Sequence, residues 1–288
     1  MAIRSLFTRP PHTAFVLGGG GNLGAIQVGQ LQALLERGIK PDVVIGCSVG
    51  ALNGAALASE PTVEGVNRLA GLWRNLHRED IFPSTKMGRG PWLFMRNGTS
   101  AYSDSGLRQL VQSWNHIEKF EEATLPLWVV ATSLHHGVER WFHSGHLMPA
   151  LLASTSLPGI FPPVDIDGES YIDGGVVNNV PISKALDLGC KRIFVLDVGN
   201  LEKERPSAKR PYEVLMQAVS IARAHRLRYD RDHVPSNVQL RNMPSIDVGK
   251  LRYDDFHRTA ELIERSYEAS KAFLNAGSTA PTTLAASA

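Results

Sequence analysis

Cysteine is scarce in this chain of 288 residues, and neither sign of charge is in clear excess. Two cysteines are too few for a disulfide framework, so the composition fits a reducing compartment such as the cytoplasm. The 30 basic and 28 acidic side chains leave a formal net charge of +2, which gives no electrostatic case for a nucleic-acid partner. No apolar run reaches the roughly 18 residues that a membrane-spanning helix requires. With 43% apolar and 20% charged residues, the composition is that of an ordinary globular domain.

Two segments bear on where the protein acts. Residues 1–12 lack the apolar segment of a secretory signal peptide, so we expect an N-terminal arm and a cytoplasmic location, with export by another route left open. Residues 81–100 place the apolar run 92–95 among basic side chains. This stretch is a candidate for peripheral contact with the inner face of a membrane or for a mobile lid, and a flap packed on the body is the alternative.

Glycine, by contrast, is plentiful, and two glycines flank a serine directly after an apolar segment. Residues 43–45 are β-branched and predict a buried parallel strand, whereas the small residues 51–58 predict a helix. Between them lies Gly46-Cys47-Ser48-Val49-Gly50, which we call the Ser48 turn. A serine at the apex of such a turn has a strained backbone, so Gly46 and Gly50 must lack a bulky Cβ. We predict that Ser48 is a nucleophile at a helix N-terminus; a glycine-rich turn with a buried serine is the alternative.

A second glycine-rich segment, Gly18–Gly24, follows a predicted strand at Thr13–Leu17 and precedes a helix that ends near Gly38. We call it the glycine loop. It matches the dinucleotide-binding pattern G-x-G-x-x-G. That interpretation expects an acidic residue at the end of the second strand, whereas Asp42 lies at its start and the Ser48 turn occupies its end. The sequence therefore favours another use of the loop.

The glycine loop is better suited to hold an oxyanion. Consecutive glycine N–H groups, unhindered by side chains, can converge on a negatively charged oxygen. Because the loop and the Ser48 turn end two successive strands, a right-handed crossover brings them side by side at one edge of the sheet. The backbone donors that we expect to face the carbonyl attacked by Ser48 are those of Gly19, Gly20, Gly21 and Val49.

A candidate general base follows another pair of apolar residues. Asp173 comes directly after Tyr171-Ile172 and before Gly174 and Gly175, at the end of a predicted hairpin strand. Burial at such a position raises the pKa of an aspartate toward the range that a general base needs. A turn aspartate that caps the next segment is the alternative.

Four histidines raise the question of a metal site. His135, His136, His143 and His146 surround a predicted strand at Val138–Phe142, but no cysteine or carboxylate pair joins them at ligand spacing. We therefore expect no metal and interpret them as solvated residues of a hairpin.

The region beyond residue 200 predicts an extension built largely of helices. Residues 201–211 are charged and contain proline, which is typical of an exposed linker. Helices are predicted at Tyr212–His233, with four arginines on a basic face, and at Asp254–Leu274, with a strand at Val238–Leu240 between them. Residues 277–288 are rich in Ala, Ser and Thr and are expected to be disordered.

These motifs, in this order, resemble the patatin-like phospholipase family over about residues 14–200. The segments that carry the resemblance are Gly18–Gly24, Gly46–Gly50, Ala153–Val164, Asp173–Gly175 and Asn178–Pro181. The resemblance implies a three-layer α/β/α fold with a mainly parallel central sheet and a C-terminal helical extension. It also implies a hydrolase domain at residues 13–200, with residues 201–276 packed on it.

By the same resemblance, the protein hydrolyses acyl esters of lipids with a Ser48–Asp173 dyad, without histidine and without a cofactor. Ser48 is then the nucleophile, Asp173 the base and the glycine loop the oxyanion hole, with Gly24, Gly46, Gly50, Gly174 and Gly175 as the conformational residues of the motifs. The family commonly has Arg or Lys before the last glycine of its loop, and here Leu23 stands in that position. Losing this cation weakens the case for phosphate-bearing substrates, so phospholipase, lysophospholipase and neutral-ester hydrolase all stay open.

Two further alternatives stay open at this point. A Ser-His-Asp triad is one of them, because three histidines follow Asp173 in the chain order of α/β-hydrolases: His225, His233 and His257. The other is a catalytically weak lipid-binding or regulatory protein, which Leu23 motivates.

Overall fold

The computed structural model describes residues 11–82, 100–199, 211–249, 251–252 and 254–276. Most of the predicted N-terminal arm, most of the predicted membrane-contact stretch, nearly all of the predicted linker and the predicted disordered tail lie outside these residues. No helix within the described residues combines the length and the apolar character needed to cross a bilayer.

The described residues form eight strands and nine helices, with short 3-10 turns between some of them. The strands are β1 (Thr13–Leu17), β2 (Val43–Cys47), β3 (Leu127–Ser133), β4 (Glu139–Phe142), β5 (Val164–Ile166), β6 (Glu169–Asp173), β7 (Arg192–Leu196) and β8 (Gln239–Asn242). The helices are α1 (Gly24–Glu36), α2 (Val49–Ser59), α3 (Val63–Arg74), α4 (Arg78–Ile81), α5 (Ser105–Trp114), α6 (Leu147–Thr155), α7 (Ile182–Asp187), α8 (Pro211–Asp232) and α9 (Thr259–Ala276).

All eight strands join one mixed sheet. Its centre is parallel, because β1 pairs with β2 and β7, β2 pairs with β3, and β7 pairs with β8 in the same direction. The antiparallel part consists of β4 and β6, which both pair with β3, and of β5, which pairs with β6. The prediction of a mainly parallel central sheet is confirmed.

Helices cover both faces of the sheet. Along β1, Phe15 and Leu17 point into one apolar cluster, which includes residues of α1, α2 and α3, whereas Ala14 and Val16 point into a second cluster with residues of α7. This alternation is expected of a strand whose two faces are both buried. The result is the predicted three-layer α/β/α arrangement.

The C-terminal region packs tightly against the first helix. Gly29 of α1 lies so close to α9 that a Cβ there would overlap the Ile263 carbonyl oxygen, and the Ser266 hydroxyl donates to the Ile26 carbonyl oxygen over 2.7 Å. α9 begins at Thr259 rather than at the predicted Asp254. Contacts with distant residues hold the intervening segment in a non-helical conformation: the Asp254 carboxylate accepts a hydrogen bond from Arg78.

Candidate active site

The Ser48 turn has the strained backbone that its glycines predict. Ser48 has φ 54° and ψ −126° between the end of β2 and the start of α2, and it is one of two non-glycine residues with positive φ in the described chain. A Cβ on Gly46 would lie 2.5 Å from the Gly50 carbonyl oxygen, and one on Gly50 would overlap the Leu17 carbonyl oxygen. Both glycines are therefore required by contacts with backbone, which cannot move aside as a side chain can.

Ser48 and Asp173 are in direct contact. The Ser48 hydroxyl donates to Asp173 Oδ2 over 2.6 Å, and the Gly175 N–H donates to Asp173 Oδ1 over 2.7 Å. The register of β3 explains how two residues 125 positions apart meet. Val130 of β3 pairs with Cys47 of β2, and the next residue, Ala131, pairs with Asp173 of β6.

The carboxyl group of Asp173 is almost completely withdrawn from water, with 1% of the residue exposed. This burial raises the pKa of Asp173, while the positive charge of Arg223 and the hydrogen bond from Ser48 partly oppose the rise. Arg223 of α8 is held in place by a 2.6 Å hydrogen bond from its Nε to the Gly175 carbonyl oxygen. The sequence did not single out Arg223, because nothing in its spacing separates it from the other arginines of α8.

Cys47 precedes Ser48 but is no rival nucleophile. Both cysteines of the chain are free and buried. Burial raises the pKa of the Cys47 thiol well above its ordinary value, and the nearby Asp173 carboxylate raises it further, against a smaller opposite effect of Arg223. The thiol therefore stays protonated, and a thiol is a far weaker nucleophile than a thiolate.

The glycine loop lies against the Ser48 turn. A Cβ on Gly19 would lie 3.1 Å from the Ser48 Cβ. The N–H of Gly19 is already used, because it donates to the Asn179 carbonyl oxygen over 3.0 Å, while the Asn179 side-chain amide donates to the Gly19 carbonyl oxygen over 3.1 Å. Gly19 is thus held from both sides and is not available as an oxyanion donor in this conformation.

The other predicted donors are available for a substrate. The backbone N–H groups of Gly20, Gly21 and Val49 have no hydrogen-bond acceptor within the described residues. Gly21 and Val49 also line the same cavity as Ser48. Unpaired backbone donors such as those of Gly21 and Val49, which share a cavity with a serine hydroxyl, are the kind of group that stabilises negative charge on a carbonyl oxygen.

The cavity beside Ser48 is lined almost entirely by apolar side chains and opens to solvent. It lies among α2, α3, α5 and α6, with one wall from the C-terminal region. Its aromatic lining residues are Trp73, Phe82, Trp114, Phe161 and Phe256. Of these, Phe256 comes from a segment that the glycine loop holds directly, because the Asn22 amide donates to the carbonyl oxygens of Arg252 and Asp255. Sequence patterns gave no signal for this contact across more than 200 residues.

The geometry offers no support for the histidine and dinucleotide alternatives. His225, His233 and His257 are exposed, and none of the three bonds to Ser48 or Asp173. Asp42 accepts hydrogen bonds from the N–H groups of His12 and Thr13 at the start of β1, at the opposite end of the strand from the glycine loop.

No metal cluster is formed where the structure describes the chain. Among those residues, no three His, Cys, Asp or Glu side chains are grouped so that they could hold an ion. His143 packs its ring against Trp128, with the centroids 3.9 Å apart, and burial lowers its pKa.

Known proteins are similar to this chain over much of its length. A family model described as patatin-like phospholipase matches residues 15–186. The chain is 33% identical over 192 residues to patatin-like phospholipase domain-containing protein 7 of Rattus norvegicus and 30% identical over 199 residues to lysophospholipase NTE1 of Candida glabrata. Each match covers 66% of this chain but only 14% and 11% of the respective relative.

The chain therefore spans a small part of the length of these curated relatives. Among solved structures, the crystal structure of VipD from Legionella pneumophila matches with 15% identity and a TM-score of 0.48, covering 93% of this chain and 67% of that one. At this level of similarity the structural match supports no conclusion of its own.

Proposed function

The chain belongs to the patatin-like phospholipase family, and from that membership we propose that it hydrolyses acyl esters of lipids, with Ser48 as nucleophile and Asp173 as general base. The observation that carries the proposal is the 2.6 Å hydrogen bond between the Ser48 hydroxyl and Asp173, beside an apolar cavity. We assign the hydrolase domain to residues 13–200, with residues 201–276 as an extension packed on it.

The first half of the reaction forms an acyl-enzyme. Asp173 accepts the proton of the Ser48 hydroxyl while Oγ attacks the ester carbonyl carbon. The carbonyl oxygen becomes negatively charged in the tetrahedral intermediate, and the N–H groups of Gly20, Gly21 and Val49 supply hydrogen-bond donors to it. The proton then passes from Asp173 to the leaving alkoxide as the ester C–O bond breaks, so the alcohol departs neutral.

The second half returns the enzyme to its starting state. Asp173 takes a proton from a water molecule, whose oxygen attacks the acyl carbon. The bond to Ser48 Oγ breaks, the fatty acid leaves and the proton returns to Ser48. Burial makes Asp173 a stronger base than an ordinary aspartate, while the charge of Arg223 favours its ionised form near neutral pH.

The cavity supports a lipid acyl chain as the part of the substrate that is recognised. Its lining is almost wholly aliphatic and aromatic, so it gains most from an apolar chain withdrawn from water. Because one relative is named lysophospholipase, lysophospholipids and phospholipids are the first substrates to test. We place the activity in the cytoplasm, in peripheral contact with the inner face of a membrane.

Hydrolysis of lysophosphatidylcholine and of a short-chain nitrophenyl ester by Ser48→Ala and Asp173→Asn tests the dyad. We expect each variant to lose activity by about 10³-fold or more, because the nucleophile and its base act as one unit. Two exposed residues of the same types provide matched controls, Ser113→Ala on α5 and Asp187→Asn on α7, and both should keep wild-type rates.

A serine-directed fluorophosphonate distinguishes an enzyme from a lipid-binding protein. The wild-type chain should be labelled at Ser48, and Ser48→Ala should not be labelled. Wild-type rates in both dyad variants would overturn the mechanism. Lipid binding without labelling and without turnover would instead assign the chain to the catalytically weak class.

A further inference from the structure

We propose that Gln27 and Asn53 are positioning residues that hold the glycine loop in its oxyanion-binding conformation. The inference rests on the proposed function, and it concerns two side chains that no motif includes. Gln27 lies within α1, which follows the loop, and Asn53 lies within α2, which follows Ser48. Both residues are completely buried, although helix interiors in a core are normally apolar.

The two amides hold both ends of the loop. Gln27 Nε2 donates to the carbonyl oxygen of Gly18 over 2.7 Å and to that of Leu196 over 2.9 Å. Asn53 Nδ2 donates to the carbonyl oxygen of Gly24 over 3.0 Å and to Gln27 Oε1 over 2.9 Å. Gly18 begins the loop and Gly24 ends it, so the loop is tied at its start to β7 and at its end to α2.

Trp73 completes the network and connects it to the cavity. Its indole Nε1–H donates to Asn53 Oδ1 over 2.8 Å. Its ring packs on Gly24, where a Cβ would lie 2.8 Å from Cζ2, and it also lines the cavity beside Ser48. Every N–H donor of these three side chains is used, so the network is fully satisfied despite its burial.

This arrangement explains how the loop keeps its donors available near Ser48. The loop glycines lack side chains that could fix their conformation, and a free glycine-rich segment would adopt many. Because the two amides bind the carbonyl groups at the loop ends, the N–H groups of Gly20 and Gly21 are fixed in place before a substrate arrives. Donors that need no rearrangement during the reaction stabilise a transition state best.

Gln27→Met tests the role, with Gln30→Met as a matched control. Met keeps the length and volume of the side chain but removes the amide. Gln30 lies on the same helix, is equally buried and donates one hydrogen bond to the Pro244 carbonyl oxygen, outside the loop. Gln27→Met removes three hydrogen bonds and Gln30→Met removes one, so both variants should lose stability and the first should lose more; a loss of stability therefore does not by itself show the positioning role.

The expected difference lies in the kinetics. Gln27→Met should lower kcat by about 10- to 100-fold, because misplaced donors weaken the transition state, while KM changes less than about twofold. Gln30→Met should keep the wild-type kcat. Equal kcat values for Gln27→Met and the wild-type chain, or equal losses in both glutamine variants, would overturn the inference.

A second variant keeps the test decisive if Gln27→Met does not fold. Trp73→Phe removes the indole N–H but leaves an aromatic ring in the cavity, so Asn53 loses one partner and the loop loses part of its support. We expect kcat to fall about three- to tenfold. An unchanged kcat in this variant would contradict the proposal that the network positions the glycine loop. Loss of activity in Gln27→Met but not in Ser48→Ala would show instead that the proposed function itself is wrong.

Discussion

Two glycine-rich turns end the neighbouring strands β1 and β2, and their glycines are required for different reasons. In the Ser48 turn, the space that a Cβ would need is occupied by the backbone of Gly50 and Leu17. In the glycine loop, the same space is occupied by side chains: a Cβ on Gly20 would overlap Val198, and one on Gly24 would meet Val49 and Trp73.

This difference predicts which property of the protein a substitution in each turn affects. The Ser48 turn is shaped mainly by backbone against backbone, with one side-chain contact, because the Ser48 N–H donates to Ser154 Oγ over 2.9 Å. The glycine loop is shaped by side chains, including Gln27 and Asn53, so its geometry depends on residues outside the motif. We therefore expect substitutions at the Ser48 turn to affect folding most, and those at the loop to affect rate and specificity.

Gly50→Ala should have the largest effect. The added Cβ would overlap the Leu17 carbonyl oxygen, and we expect a loss of about 3 kcal/mol or more in the free energy of unfolding. Gly71→Ala is the control, because Gly71 lies within α3 and a Cβ added there would meet nothing within 4 Å, so it should be neutral or stabilising by up to about 1 kcal/mol. Urea unfolding monitored by fluorescence measures both. Equal effects of the two substitutions would show that the backbone contact of Gly50 does not restrict the Ser48 turn.

An effect of intermediate size is expected when the carboxyl groups beside the two turns are replaced. Asp173 bonds Ser48, and Asp197 lies beside the loop, 3.3 Å from the place of a Cβ on Gly18. Burial raises the pKa of Asp173, and it raises the pKa of Asp197 from an ordinary 3.8 to about 6. A raised pKa means that folding favours the neutral acid. The stability that comes from this preference is fully present below the pKa of the carboxyl group in the unfolded chain. It is lost as the pH rises through the higher pKa of the same group in the folded protein.

Asp197→Asn should consequently raise the free energy of unfolding at pH 8 by about 1–2 kcal/mol. This is less than the full pKa shift implies, because Asp197 is partly exposed. The gain should vanish near pH 4, as the carboxyl group becomes neutral in both states. Asp173→Asn should show the same direction of pH dependence but lose activity, whereas Asp197→Asn should stay active. Denaturant unfolding at several pH values, with ester turnover alongside, measures this. A gain that is the same at pH 4 and pH 8 would contradict it.

The smallest effect is expected at Leu23, where this loop departs from its family. Leu23→Arg should raise kcat/KM for lysophosphatidylcholine relative to an uncharged ester about two- to fivefold, since a partly exposed ion pair contributes about 0.5–1 kcal/mol. Leu23→Met controls for side-chain length. The gain should shrink in 0.5 M NaCl, because salt screens exposed charges. A gain that persists in high salt would have another cause than charge.

The sequence by itself predicts the two turns and the strands before them. The constraint on Ser48 and Gly46 is local, because a strained backbone within five residues restricts which side chains fit, whereas Gly50 is also restricted by Leu17 of the neighbouring strand. The burial of β1, β2 and β3 is equally readable, since apolar runs of this length have few other uses. Even so, a sequence pattern alone does not assign the roles of Ser48 and Asp173, which the kinetic variants test.

The tertiary structure alone decides which residues complete the site. Arg223 reaches Gly175 from α8, Phe256 reaches the cavity from a segment that Asn22 holds, and Gln27 and Asn53 meet between two helices. Contacts of residues 252–255 with Asn22 and Arg78 likewise accompany the later start of α9 at Thr259. The physical reason is distance along the chain: backbone sterics act between near neighbours and leave a pattern, whereas a hydrogen bond between residues far apart in sequence depends on the packing of whole elements and leaves none.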